Sequence, residues 1–168
     1  MLEVICTNVH ESFDELIVDV TKASYAIRAE LEATLVVAAE RVKQTAQSKF
    51  GEYQPAIGPY VAWALLNPDY VMRKGAEDPL IGRYSNGSNS MWPTALKDSI
   101  ETHVDKTILE AHIGTNSPLG KWHEFGLPGR KTPLPPRPFL RPALHQETDW
   151  ILSEVEKSIG GVLPRLFK

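Results

Sequence analysis

Five histidines (His10, His103, His112, His123 and His145) and a lone cysteine, Cys6, are the side chains here best suited to metal binding, proton transfer or covalent catalysis. A zinc-hydrolase helix needs two histidines four residues apart, with a glutamate after the first, so that both imidazoles reach one ion. Here His123-Glu124 runs on into Phe125-Gly126-Leu127, and the second imidazole is missing. His103 and His112 fall in two alternating stretches and could face each other across a hairpin. A site would need a further ligand, and the chain has no cysteine pair or Asp-rich loop to supply it. The alternative is that both are polar positions on an exposed strand face. Cys6 with His10 is the one Cys–His proximity, but a reactive thiolate needs an electropositive setting and the neighbours Glu3 and Glu11 are acidic. Cys6 reads equally as a small buried hydrophobe.

Other chemistries lack their scaffolds. No Gly-x-Ser-x-Gly elbow is present. Neither Gly82–Gly87 nor Gly114–Gly120 ends in the Gly-Lys-Ser/Thr needed to cradle a phosphate. Glu154 and Glu156 lie on different sides of a helix and read as solvated surface. The expectation is a binding protein rather than an enzyme, with no catalytic residues, cofactor or metal. One electrostatic feature remains: Gly126 to Gln146 contains Arg130, Lys131, Arg137, Arg141 and His145 and no acidic residue. This segment could meet DNA phosphate or an acidic partner surface, or be an ordinary soluble loop.

The elements that must position these groups follow from periodicity and punctuation. Leu2–Thr7 is rich in strand-favouring residues and reads as a short first strand. Asn8 with Glu11 resembles a capping box. Apolar residues then recur in steps of three or four through Phe13, Leu16, Ile17, Val20, Ala23, Ile27, Leu31, Leu35, Ala38, Val42 and Ala46, until Gly51 stops the pattern. An unbroken helix from Asn8 to Phe50 would reach on the order of 60 Å, more than a compact domain easily covers. It either breaks near Thr21–Ser24 or projects, and a projecting apolar face would need a partner chain.

From Gly51 to Met91, Gly, Pro and aromatic residues mark irregular structure, with a small polar segment at 82–90 read as a mobile loop. Pro93–Ser99 suits a short helical turn. Ile100, Thr102 and Val104, then Leu109, Ala111 and Ile113, alternate with polar residues and predict two adjacent strands turning near Asp105-Lys106. Five prolines between Leu127 and Pro138 favour an extended arm over helix. A last helix follows, with Pro142 near its start and Gly160-Gly161 as its stop.

Trp122-His123-Glu124-Phe125-Gly126, followed by Leu134-Pro135-Pro136-Arg137-Pro138-Phe139-Leu140-Arg141-Pro142, resembles the phage minor tail and virion-morphogenesis family of tail-completion proteins. Ile57-Gly58-Pro59-Tyr60, Trp63, Leu65–Pro68, Lys74-Gly75, Pro79-Leu80 and Leu96–Ile100 are similar to that family's central stretch, so the resemblance spans about Leu31 to Phe167. The chain departs where the family usually has Thr-Gly before the leucine: Pro93-Thr94-Ala95-Leu96 stands here.

The resemblance implies a structural virion protein at the neck of a tailed phage. It would be made in the host cytoplasm, associate with itself in a ring, sixfold in the family, and join the head connector or stopper to the tail terminator or tube. Packaged DNA is a further possible contact; a membrane is not. The residues expected at assembly interfaces are Trp63, Trp122, His123, Glu124, Phe125, Gly126, Arg130, Lys131, Arg137, Pro138, Phe139 and Arg141. Phe139 and Leu140 could instead plug the subunit's own core. The rival readings are a DNA-binding phage accessory module using the basic arm and a small metal-dependent hydrolase using the histidines.

The totals bound these readings. At 168 residues and 18.7 kDa the chain fits one domain, 1–168, able to bury a core. A mean hydropathy of -0.23 with 23% charged residues is ordinary for a globular protein. A net charge of -3 and a pI near 6.0 argue against a chain whose main task is coating nucleic acid. The start, Met1–Cys6, carries no basic stretch leading into an apolar one, so cytoplasmic synthesis is expected. The fold class expected is α+β, with three to four antiparallel strands packed against the long first helix and the last helix.

Overall fold

The computed structural model of the chain describes residues 13–75, 77–81, 96–129 and 133–166. The expected first strand at Leu2–Thr7, the polar loop at 82–90, and Arg130 and Lys131 lie outside them. The fold is α+β: a long N-terminal helix and a C-terminal helix pack together with a small antiparallel sheet.

The first helix, α1, runs unbroken over Phe13–Ser48. At 1.5 Å per residue it is about 54 Å long. The break expected near Thr21–Ser24 does not occur. Thr21 and Ser24 instead return their hydroxyls to the carbonyls of Ile17 and Thr21, at 2.7 and 2.8 Å, which keeps these residues within the helical ladder. After α1 the chain is irregular, apart from α2 at Pro68–Lys74. Asn67 caps α2 by accepting from the Asp69 and Tyr70 amides, and Gly75 ends it at φ 72°.

Strands β1 (Ile100–Asp105) and β2 (Glu110–Thr115) pair antiparallel, with Ile100 opposite Thr115 and His103 opposite His112. Among the described residues the sheet has these two strands, not three or four. The Ile57–Tyr60 and Leu127–Leu134 pairings remain isolated bridges, because Pro and Gly remove donors and turn the chain on both sides of each. The hairpin turn is held against α1. Arg28 donates to the Lys106 and Thr107 carbonyls, and Leu109, at φ 55°, lines an apolar cleft of about 200 Å³ with Leu31, Leu35, Ile151 and Val155. A leucine in that backbone region costs on the order of 1 kcal/mol, which burial of its side chain offsets.

Helix α3 (Pro118–Phe125) leads through the proline-rich segment into α4 (Leu140–Leu166), which lies along α1. Thr34 bonds Ser158 at 2.6 Å and Thr45 bonds Glu147 at 2.7 Å, which fixes an antiparallel register. Arg41 also pairs with Glu147, and buried Lys49 donates to Gln146. Burial alone would raise the Glu147 pKa. Hydrogen bonds from Thr45 and Arg41 and the charges of Arg41 and Lys49 outweigh it and hold the carboxyl below its ordinary value. The core sits at the C-terminal third of α1, where Val42, Ala46 and Phe50 meet Trp63, Leu96, Ile100, Phe139 and Ala143. No helix of the described residues is long and apolar enough to cross a membrane.

Candidate functional site: the α3–α4 junction

Most of the residues expected at assembly interfaces converge on one junction, built by the return of the proline-rich segment. Gly126 ends α3 at φ 75°, a backbone that side chains rarely adopt, and a Cβ there would lie 2.9 Å from the Leu134 carbonyl oxygen. That close approach lets Leu127 and Leu134 exchange backbone hydrogen bonds of 2.9 and 3.3 Å, so the segment folds back on itself instead of extending as a free arm. The Arg137 amide then donates to the His123 carbonyl at 2.7 Å, and the chain is delivered to the start of α4.

Glu124 organises that start. Its buried carboxylate accepts from the Phe139 and Leu140 amides at 2.8 and 3.1 Å, from the Arg141 amide at 3.1 Å and from Arg141 Nε at 2.9 Å. The first turn of α4 has no acidic residue of its own. A carboxylate from α3 therefore satisfies its orphan amides and sits against the positive end of its dipole. Arg141 also donates to the Glu124 carbonyl at 2.7 Å. Its guanidinium lies 4.5 Å from the centre of the Phe125 ring and 5.5 Å from that of Tyr60.

Arg137 and Phe139 point inward. Arg137 is 3% exposed and donates through Nη2 to the Ala64 and Leu65 carbonyls at 2.9 and 3.3 Å, while its Nε is buried without a hydrogen-bond partner. Burial lowers the Arg137 pKa, and the neighbouring Tyr53 and Tyr70 oppose this. Phe139 is fully buried, edge-on to Phe50 with ring centres 5.1 Å apart. Trp63 donates its indole N–H to the Pro138 carbonyl at 3.1 Å. His123 is half-buried beside Arg137. Burial, then the adjacent positive charge, push its pKa down to about 4, so the imidazole is neutral near pH 7 with Nδ1 buried and unpaired.

Of the twelve candidates, Trp63, Glu124, Gly126, Arg137, Pro138 and Phe139 are thus buried within the subunit, Trp122 and His123 are half-buried, and Phe125 and Arg141 are exposed. Phe139 plugs the subunit's own core. The surface left to a partner is Phe125, 62% exposed, with Arg141 and Tyr60. Tyr60 was not among the candidates, although Gly58-Pro59 before it marks a tight turn; His145 packs edge-on against its ring with centres 6.1 Å apart. Of the segment's described basic side chains, Arg137 is held on backbone carbonyls and Arg141 is paired with Glu124.

His103 and His112 do stack across the hairpin, with ring centres 6.4 Å apart, and His112 lies 3.4 Å from Glu110. Among the described residues no group of three His, Cys, Asp or Glu side chains could hold a metal ion. No family model, no curated protein and no solved structure matches the chain.

Proposed function

We propose that this chain is a structural subunit of a tailed-phage virion, a tail-completion or head–tail joining protein that acts in the neck by binding alone. The observation that carries the reading is the junction. The two segments on which the resemblance rests, Trp122–Gly126 and Leu134–Pro142, fold against each other through Glu124, Arg137 and Phe139 and present Phe125, Arg141 and Tyr60 on a fixed base. Side chains held this way lose little freedom on docking, which suits a contact that must form by shape. In this reading the partners are further copies of the chain in a ring, sixfold by resemblance, and the connector, stopper, terminator or tube proteins on either side.

Electron microscopy of lysates from a host infected with phage lacking this gene tests the proposal. Filled heads accumulating beside unattached tails are the expected result. Normal, infectious particles would overturn it.

A further inference from the structure

The outward face of the hairpin is built almost wholly from side chains that ligate metals. Alternation along the strands turns one set of residues, Ile100 and Ile113 among them, toward α1 and the core, and sets Glu101, His103, Asp105, Glu110, His112 and Gly114 on the other side. Apart from Gly114, every one of these is an imidazole or a carboxylate, and no lysine or arginine stands among them. The register sets His103 directly opposite His112, and their rings stack with centres 6.4 Å apart and planes inclined by 26°. Glu110 Oε1 lies 3.4 Å from His112 Nε2. Asp105 stands opposite Glu110, a pairing of like charges that is unfavourable by itself and that a cation on this face would ease.

Imidazole nitrogen suits divalent zinc, nickel and copper, with affinity rising from nickel to copper. Two imidazoles share one ion when each presents a ring nitrogen about 2.0–2.1 Å from it, which sets the ring centres about 5 Å apart. Both side chains are exposed, so small rotations about their side-chain bonds close the remaining gap. We propose that His103 and His112 chelate one divalent transition-metal ion across the hairpin, with Glu110 beside it and water at the open positions. Among the described residues no group of three such side chains could hold an ion, so this one is exchangeable and not a fixed structural centre. A dissociation constant of about 1–100 µM is expected of such a two-ligand site. This inference stands apart from the neck reading and needs neither a phage nor a ring.

Calorimetric titration of the full-length protein with nickel(II) tests this, in a Cys6→Ala background that removes the competing thiol. One equivalent is expected to bind. His103→Ala and His112→Ala should each weaken binding at least about tenfold. The double variant should be little weaker than either single one, because a chelate broken at one ligand is lost as a unit. His145→Ala, at an exposed histidine of α4, should leave binding unchanged. Circular dichroism verifies that each variant is folded.

An ion held by both strands also stabilises the fold, since the unfolded chain does not keep the two imidazoles together. Saturating nickel(II) should therefore raise the urea midpoint of the parent and leave that of either single variant nearly unmoved. No saturable binding below about 1 mM, losses that divide additively between the two histidines, or an equal loss in His145→Ala would each overturn the inference.

Discussion

His123 occupies an uncomfortable place for an imidazole, against the Arg137 side chain in an interior with no acceptor for its Nδ1. Its folded-state pKa of about 4 lies below the ordinary 6.5, so between those values the unfolded chain carries a proton that the folded chain refuses. Stability therefore rises with pH across this window, is present in full above about pH 6.5, and falls away as the pH drops toward 4. The slope from one such group is at most about 1.4 kcal/mol per pH unit. His123→Phe should remove most of this contribution, and urea titrations of both proteins from pH 4 to 7 should show a flatter dependence in the variant. An equal slope in the two would mean that His123 takes up a proton without cost. Arg137 is the complementary case, a buried cation that donates through Nη2 to two backbone carbonyls while its Nε has no partner. Nothing in its local sequence, Pro136-Arg137-Pro138, separates that role from an exposed docking arginine.

Between elements, the decisive contact is the carboxylate of α3 at the head of α4. Glu124→Ala would leave the Phe139, Leu140 and Arg141 amides and the Arg141 side chain without their acceptor in a partly dry site, and should cost about 2–4 kcal/mol in urea unfolding. Glu124→Gln keeps an acceptor oxygen while turning a donor toward the amides, so a smaller loss is expected. A loss below about 0.5 kcal/mol in the alanine variant would show that water replaces the cap. This contact was not legible in the sequence, because the partners lie 15 to 17 residues apart across a proline-rich segment that gives no sign of returning. The long helix and the hairpin were legible, since each carries its own period: steps of three and four along α1, and alternation along β1 and β2, which placed His103 and His112 face to face. Of the further strands expected, Leu2–Thr7 lies outside the described residues, and among the described ones the sheet is the β1–β2 hairpin. Tyr53–Trp63 is irregular as its punctuation predicts, because Pro55, Gly58 and Pro59 limit it to a single bridge.

Across the whole molecule, stability is concentrated at one end. The core cluster joins the last third of α1 to the hairpin base, the Tyr53–Trp63 segment and the first turn of α4, whereas toward Phe13 α1 outruns α4 and carries exposed Ile17, Val18 and Val20. A helix without tertiary contact is only marginally stable in water, because its nucleation and propagation nearly cancel for ordinary sequences. In dilute solution, the amides of residues 17–24 should therefore exchange by local fraying, while those of 38–48 should exchange only with global unfolding. Hydrogen exchange read residue by residue should show at least about a hundredfold difference in protection between these stretches of one continuous helix. Uniform protection along α1 at low concentration would mean instead that the first turns are held within the monomer. Buried Ala23, in the middle of the stretch, would then mark where the chain's own fold covers it.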